Sequence, residues 1–268
     1  MVTFPNCKIN LGLRVTRKRT DGFHDIATVF YPVPLHDCLE INPGILTEFH
    51  SYGLPIPGDP SGNLVLRAWE ALRKEAGIPH VSIHLLKNIP MGAGLGGGSS
   101  DAAFALKLLR EQFCPEFPDT QLQNLALTLG SDVPFFLVNR PCRADGRGEI
   151  LETLPLDLAG NYLVLALPEI HIRTAWAFGE IQPGSNPLHP AEGCLRPIQE
   201  WKESLVNDFE KPIFQQFPLI RKIKENLYSA GALYASMSGS GSAVFGIFNH
   251  KPELKEFPDS CQVKILTI

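Results

Sequence analysis

The sequence has no excess of positive charge and no long apolar run. Its 268 residues include 24 Lys and Arg against 28 Asp and Glu, a formal net charge of -4. Nucleic acids and acidic membranes attract proteins through basic side chains, so this balance argues against both as partners. The longest purely apolar stretch, residues 162–167, is far shorter than the roughly 20 residues that a membrane helix needs. We therefore expect a soluble, cytoplasmic protein that is a monomer or a weak homodimer.

The sequence also lacks any C-x-x-C pair, although it contains six cysteines. Their wide spacing argues against a zinc knuckle and against a redox-active dithiol, so reduced thiols are expected. No acidic cluster has the spacing of a dedicated metal cage, and no residue is predicted as a metal ligand.

The chain has enough apolar material for a substantial core, since 44% of its residues are hydrophobic and 19% are charged. Apolar and polar residues alternate from Lys8 to Thr16, which predicts a half-buried strand with Lys8 and Asn10 on one face. Helical spacing or strand alternation marks further segments: helices over 63–76, 102–109, 122–129, 198–209 and 218–230, and strands over 81–85, 162–167, 233–237, 243–248 and 263–268. Strands and helices without strict alternation predict an α+β fold.

A polar, glycine-bearing passage over residues 139–160 favours a domain boundary near residue 155. The chain length fits one to two domains. We predict an N-terminal domain over residues 1–155 and a C-terminal domain over residues 156–268.

The strongest local signal is a glycine-rich stretch, P-M-G-A-G-L-G-G-G-S-S-D over residues 90–101, in which five of the seven residues 92–98 are glycine. Glycines let the backbone bring several N–H groups close to an anion, and a helix expected to start near Ser99 points its positive end at the same place. A phosphate group is the natural ligand. Ser99 and Ser100 are expected to cap that helix or to bind phosphate oxygens.

Three known kinds of phosphate-binding loop are candidates for this stretch. A Walker loop needs a Gly-Lys pair, and the sequence has none. A protein kinase needs His-Arg-Asp and Asp-Phe-Gly motifs, and neither occurs. Gly92, Gly94 and Gly97 satisfy the G-x-G-x-x-G pattern of dinucleotide sites, but the α+β layout offers no repeated βαβ units behind it.

The sequence resembles the galactokinase, homoserine, mevalonate and phosphomevalonate (GHMP) kinase superfamily. Five motifs in register across the chain carry the resemblance: P-N-C-K-I-N-L from Pro5, G-F-H from Gly22, the glycine loop, G-S-D-V-P-F-F from Gly130, and M-S-G-S-G-S from Met237. It implies two domains, an N-terminal nucleotide domain like ribosomal S5 domain 2 and a C-terminal ferredoxin-like substrate domain, with the active site in the cleft between them.

The resemblance further implies an ATP-dependent kinase of the non-mevalonate isoprenoid pathway. Its acceptor would be the 2-hydroxyl of a methylerythritol unit in a small cytidyl diphosphate molecule, and Mg²⁺ would accompany ATP. Asp132 would be the general base and Lys8 its cationic partner. Without the resemblance, the reading of Asp132 as a turn residue and of Lys8 as an exposed edge lysine stays open.

Further binding residues are implied by the same motifs. In the acceptor site, His24 would hydrogen-bond the cytosine and Phe178 would stack on it. The remaining acceptor residues are Asn10, Phe23, Asp132, Thr174, Gly239 and Ser240. The ATP site would comprise Asn63, the Lys87 carbonyl, Pro90, Met91, Gly92, Ala93, Gly94, Leu95, Gly96, Gly97, Gly98, Ser99 and Ser100. By themselves, Asn63 reads as a helix cap and Phe178 as a core residue.

The sequence departs from the family pattern at several positions. Cys7 replaces the usual alanine, Phe23 a common tyrosine and Asp101 a frequent asparagine, and the segment 173–176 is unusual. Three other functions stay open: a kinase of the same superfamily acting on homoserine or a mevalonate-like acid, a catalytically silent nucleotide sensor, and a dehydrogenase that binds a dinucleotide at the loop.

Overall fold

The computed structural model describes residues 1–184, 188–254 and 257–268. The strands found there are β1 (Val2–Thr3), β2 (Asn6–Lys18), β3 (His24–His36), β4 (Cys38–Pro43), β5 (Glu48–Gly53), β6 (Val81–Lys87), β7 (Cys142–Asp145), β8 (Ile150–Thr153), β9 (Tyr162–Pro168), β10 (Tyr234–Met237), β11 (Val244–Phe248) and β12 (Cys261–Thr267). The α-helices are α1 (Leu64–Ala76), α2 (Gly97–Phe113), α3 (Asp119–Leu129), α4 (Val133–Val138), α5 (Thr174–Gly179), α6 (Pro190–Cys194), α7 (Trp201–Ser204), α8 (Glu210–Gln216) and α9 (Pro218–Ser229).

The chain folds into two compact units, and neither is a continuous half of the sequence. The first unit consists of Met1–Cys7, Leu35–Met91 and Gly96–Asn139. The second consists of Lys8–Pro34, Gly92–Leu95 and Arg140–Ile268. Residues 92–95 of the glycine-rich stretch therefore belong to the second unit, and residues 90–91 and 96–101 belong to the first. The division into functional domains at residue 155 stays a prediction.

The first unit contains a four-stranded sheet and a group of helices. Its strand order is β1-β4-β6-β5, with β5 parallel to β6 and the other pairs antiparallel. Helices α1, α2, α3 and α4 pack on one another, and α2 also contacts β4. The Asn63 side chain accepts the Val65 N–H at the start of α1, and Gly77 ends the helix with a φ of 65°.

The second unit is built around two four-stranded sheets. One has the order β2-β3-β7-β8, and two end residues each of β2 and β3 belong to the first unit. The other is fully antiparallel with the order β10-β11-β9-β12, and α9 packs on β10 and β11. Numbered within the sheet, this order is 2-3-1-4, the arrangement of a ferredoxin-like sheet. The predicted α+β fold with a ferredoxin-like C-terminal part is confirmed.

One predicted helix is wrong. Residues 198–209 contain a 3₁₀ turn, the one-turn helix α7 and then extended chain at Leu205. Backbone hydrogen bonds to Leu13 hold the chain in an extended conformation here. The Leu13 N–H donates to the Val206 carbonyl at 2.9 Å, and the Asp208 N–H donates to the Leu13 carbonyl at 2.9 Å. Pairing with β2 outweighs the local helical pattern.

Two further expectations about strands are corrected. Strand β2 is buried on both faces from residue 6 to residue 13, so it is not half-buried as its alternation predicted. The polar passage at residues 139–160 contains the β7–β8 hairpin rather than a simple linker. No helix of the described residues is long and apolar enough to cross a membrane.

His189 generates a prediction about pH. Its ring is 8% exposed, and its Nδ1 accepts the Ala191 N–H at 3.0 Å. Burial lowers the pKa of His189 below its usual value of 6.5, against the opposing effect of Asp145. The folded protein therefore takes up this proton less readily than the unfolded chain, and stability is lost as the pH falls below 6.5.

We expect the free energy of unfolding to fall less between about pH 7.5 and pH 5.5 in His189→Gln than in the wild type. Urea denaturation at the two pH values measures this difference. His250→Gln, which changes an exposed histidine, is the control. Equal losses in all three proteins would contradict the prediction.

Candidate active site

The first half of the glycine loop, Gly92–Leu95, is held through its carbonyl groups. Three consecutive carbonyls each accept a bond from the second unit: Ala93 from the Ala243 N–H (3.1 Å), Gly94 from Ser238 Oγ (2.9 Å) and Leu95 from the Lys8 N–H (3.0 Å). Within the described ranges, the N–H groups of residues 92–95 have no hydrogen-bond partner. The carbonyl groups of residues 93–95 thus bind the protein, and the N–H groups of residues 92–95 remain available to a ligand.

Glycine is required here because neighbouring backbones approach very closely. A Cβ at Gly94 would lie 2.1 Å from the Ser238 carbonyl oxygen. Positive φ values at Gly92 (70°), Gly94 (79°) and Gly96 (70°) alternate with ordinary values at the residues between them. Such alternation turns successive N–H groups toward one side and forms an anion-binding concavity.

The second half of the loop begins α2 in the first unit. Gly96 is the N-cap residue, and no side chain caps the helix, so the predicted capping by Ser99 or Ser100 is wrong. The helix starts at Gly97, two residues earlier than predicted, which places both serines inside its first turn. The first N–H groups of a 17-residue helix are therefore left for an anion. Ser100 Oγ is buried without a protein partner.

A buried ionic cluster lies below this helix start. Lys87 Nζ donates to Asp37 and, at 2.7 Å, to Asp101 Oδ2, and all three side chains are almost fully buried. Asp37 also accepts the N–H groups of Asn88 and Ile89, which fixes the chain leading into the loop. Sequence reasoning missed Asp37, because no motif marks this single acid.

Asp101 has a perturbed pKa within this cluster. Burial raises its pKa to about 7, although Lys87 acts in the opposite direction. Its Oδ1 atom is buried and has no hydrogen-bond partner. The carboxylate that replaces the frequent asparagine thus faces Lys87.

A cavity of about 350 Å³ lies beside the start of α2. Asn63, Leu64, Met91, Gly98 and Asp101 line it together with the 3₁₀ turn Pro60–Gly62. Asn63 Oδ1 is used to cap α1. The Lys87 carbonyl accepts the Leu54 N–H at 2.8 Å. Asn63, Pro90 and Met91 thus belong to the same unit as the helix start.

Lys8 is a buried residue of β2, 4% exposed, so the reading as an exposed edge lysine is wrong. Its Nζ donates to Asn10 Oδ1 at 2.6 Å and lies 4.6 Å from the centre of the Phe30 ring. Asn10 Nδ2 in turn donates to Thr28 Oγ1 at 3.1 Å. The predicted placement of Lys8 and Asn10 on one face is confirmed, and a chain of polar contacts orients the ammonium group.

Asp132 lies in the first unit, between Gly130 and the short helix α4. It occupies the N-cap position without a side-chain hydrogen bond to the helix. The helix following it is buried and apolar, with Pro134 in its first turn. The turn therefore fixes the backbone of Asp132 without using its carboxylate as a cap.

The predicted base-binding residues meet in the second unit. The His24 and Phe178 rings are stacked, with centroids 4.9 Å apart and an interplanar angle of 18°. Phe178 also packs edge-on against Phe209 at 4.8 Å. Phe23 is exposed, and the Arg147 guanidinium lies 4.9 Å from its ring centre. The structure brings His24 and Phe178 together, although they are far apart in sequence.

The serine-rich turn that follows β10 carries Gly239 and Ser240. Ser240 Oγ lies 3.4 Å from Thr174 Oγ1, so these two predicted residues are also together. Asn207 Nδ2 donates to the carbonyls of Met237 and Gly239, each at 2.8 Å. Asn207 was missed by sequence reasoning, because its partners lie some 30 residues further along the chain.

The predicted residues divide between the two units. Lys8, Asn10, Phe23, His24, Thr174, Phe178, Gly239, Ser240 and residues 92–95 belong to the second unit, and Asn63, Lys87, Pro90, Met91, Asp132 and residues 96–100 belong to the first. The described part of the chain contains no group of three His, Cys, Asp or Glu side chains that could hold a metal.

Two family descriptions match the chain. Residues 63–140 match the GHMP kinases N terminal domain, and residues 191–262 match the GHMP kinases C terminal domain. The chain therefore belongs to the GHMP kinases and is a small-molecule kinase with ATP as its phosphoryl donor.

Its relatives narrow the family further. It is 50% identical over 261 residues to the 4-diphosphocytidyl-2-C-methyl-D-erythritol kinase of Bacteroides fragilis, covering 95% of this chain and 94% of the relative. The kinase of the same name from Porphyromonas gingivalis is 48% identical, with 95% and 94% covered.

Solved structures agree with these relatives. A crystal structure of 4-(cytidine 5'-diphospho)-2C-methyl-D-erythritol kinase matches with a TM-score of 0.80 and 34% identity, covering 100% of this chain and 98% of the other. Homoserine kinase from Cytophaga hutchinsonii matches with a TM-score of 0.67 at 16% identity, covering 98% and 94% of the two chains, and this likeness concerns the fold alone.

The ionic cluster generates a prediction about stability. Asp37→Asn removes a buried charge that faces Lys87, so we expect the free energy of unfolding to fall by about 2–4 kcal/mol. Asp101→Asn is the matched control and should cost less, because burial already disfavours the charge of Asp101. Urea denaturation of both variants measures the difference. An equal or larger loss in Asp101→Asn would contradict this account.

Proposed function

We propose that this chain transfers the γ-phosphoryl group of ATP to the 2-hydroxyl of 4-diphosphocytidyl-2-C-methyl-D-erythritol. The reaction is a step in the synthesis of isoprenoid precursors by the non-mevalonate route. The observation that carries the proposal is 50% identity over 95% of the chain to a kinase named for this acceptor. The residues that the reaction requires are all present, and their local surroundings fit the roles given below.

The glycine loop and the start of α2 bind the phosphates of ATP. The free N–H groups of Gly92–Leu95 and of the uncapped helix end supply the donors. Ser99 and Ser100 add hydroxyl groups, and Ser100 Oγ has no protein partner that would compete with a phosphate. The cavity lined by Asn63 and Met91 receives the adenine. Pro90 and the Lys87 carbonyl complete the set of residues assigned to the ATP site.

Asp132 and Lys8 carry out the transfer. Asp132 accepts the proton of the acceptor hydroxyl. At the same time the hydroxyl oxygen forms a bond to the γ-phosphorus, and the bond between the γ-phosphorus and ADP breaks. Lys8 neutralises charge that develops on the transferring group. Asn10 holds the Lys8 ammonium in position through the 2.6 Å contact. Lys8 belongs to the second unit and Asp132 to the first.

ATP would bring Mg²⁺ into the site, and phosphate oxygens and water would be its main ligands. When bound, it supplies neutralisation of the phosphate charge. Hydroxyl donors such as Ser100 Oγ are compatible with this arrangement.

The acceptor's cytosine binds at the His24–Phe178 stack. A nucleobase gains from aromatic surfaces, and these two rings already form one. Phe23 extends the apolar surface, and Thr174, Gly239 and Ser240 contact the remainder of the acceptor. Homoserine and mevalonate have no base that would use this stack, which favours the cytidyl substrate over those acceptors.

We also propose that the enzyme acts in the cytoplasm, as a monomer or a weak homodimer, without a nucleic-acid partner. The net charge of -4 supports the last point.

The direct test uses the purified protein with ATP, Mg²⁺ and a panel of alcohols, read by phosphorus NMR. We expect a phosphomonoester only with the cytidyl diphosphate compound and not with homoserine or mevalonate.

Asp132→Asn should lower turnover about a hundredfold or more while ATP binding is kept. Full activity of this variant would exclude Asp132 as the base. Binding of NAD without ATP would instead support a dehydrogenase, and ATP binding without turnover a silent sensor.

Phe178→Ala should weaken acceptor binding by roughly 1–3 kcal/mol, through lost stacking and release of His24. The Michaelis constants for the acceptor and for ATP separate this effect from general damage, because only the former should rise. Phe214→Ala is the control, since Phe214 packs against the same core without contacting His24. An unchanged constant for the acceptor would reject the stacking role.

A further inference from the structure

The segment between β9 and α5 lies along the glycine loop and the serine-rich turn. His171, Ile172 and the first residue of α5, Thr174, lie close to these elements in the second unit. A Cβ built at Gly92 would lie 3.2 Å from His171 Nδ1, and one built at Gly241 would lie 2.9 Å from Ile172 Cδ1. Thr174 Oγ1 lies 3.4 Å from Ser240 Oγ. Buried Ile172 fixes the segment, so that its neighbours His171 and Arg173 lie beside the phosphate-binding backbone.

His171 and Arg173 are exposed, and they have no protein partner. In the part of the chain that the structure describes, neither side chain makes a hydrogen bond or ion pair. Arg147, another cation of the second unit, lies 3.6 Å from Glu149 and is already engaged. Arg173 carries a positive charge and His171 can accept a proton. Neither side chain stabilises the fold through a hydrogen bond or an ion pair.

The glycine loop itself supplies dipoles but no formal charge. A ligand with two or three phosphate groups brings several negative charges to a chain whose own net charge is -4. Main-chain N–H groups bind such a ligand better when a cation stands beside them, and a guanidinium can hold two phosphate oxygens at once. His171 touches the loop at Gly92, and the extended backbone of Arg173 (φ -73°, ψ 113°) follows two residues later.

We propose that His171 and Arg173 bind phosphate oxygens of a ligand held at the glycine loop. This inference rests on the proposed function and adds the charged part of its phosphate site. The phosphates belong either to ATP or to the diphosphate of the acceptor, because both carry the same chemistry. The segment 171–174 thus joins the loop as a second phosphate-binding element.

The test compares His171→Ala, Arg173→Ala and Arg173→Lys with two controls, His250→Ala and Arg196→Ala, which change exposed residues elsewhere in the second unit. Melting temperatures should be unchanged, since the mutated side chains are exposed. Steady-state kinetics give separate Michaelis constants for ATP and for the cytidyl acceptor. We expect one of these constants to rise roughly tenfold in Arg173→Ala, with partial recovery in Arg173→Lys.

The constant that rises identifies the ligand: ATP or the acceptor. The same constant should increase with salt in the wild type and less steeply in Arg173→Ala, because a charge contact is screened. A purely structural role would not change the salt dependence. Unchanged constants in both alanine variants, or a fall in kcat alone, would overturn the proposal.

A binding experiment separates this proposal from the proposed function. Calorimetry with ATP and with inorganic tripolyphosphate needs no turnover, so it applies even if the enzyme phosphorylates none of the alcohols in the panel. Weaker binding of either compound to the alanine variants, with normal binding to the controls, would support the phosphate role in the absence of activity. If the protein is active but binding and both Michaelis constants are unaffected, only the inference about His171 and Arg173 fails.

Discussion

The close approach of two backbones at Gly94 is the constraint on which the candidate site depends. The Ser238 carbonyl occupies the space that any larger residue at position 94 would need, while the Ser238 hydroxyl binds the Gly94 carbonyl. The loop therefore gives its oxygen atoms to the protein and keeps its N–H groups for an anion. Within the second unit, His171 and Ser238 lie beside this part of the loop.

The buried lysines near this loop differ in their surroundings and hence in their chemistry. Lys87 lies between two carboxylates, and its charge is used to hold the chain before the loop. Lys8 contacts the neutral amide of Asn10 and the face of Phe30. Lys87, held between two acids, mainly stabilises the fold.

Sequence reasoning was most successful where one local pattern sufficed. The glycine loop, the first-strand placement of Lys8 with Asn10, and the helix from Asn63 to Gly77 all follow from spacing and residue type. It failed where distant segments compete. Residues 198–209 have a helical pattern, but backbone pairing with Leu13 opens the chain, and Asn207 is drawn to the turn after β10. Ser99 and Ser100 resemble caps, yet Gly96 reaches a left-handed conformation first and starts the helix earlier.

The sequence by itself determined the class of enzyme, because five motifs in register across the chain resemble one kinase superfamily. Only the tertiary structure decided which charged side chains form ion pairs within the fold. Asp37 and Asp101 are 64 positions apart and meet only around Lys87, while His171 touches Gly92 across 79 positions. Burial and charge pairing are properties of such contacts between distant segments, and no local pattern records them.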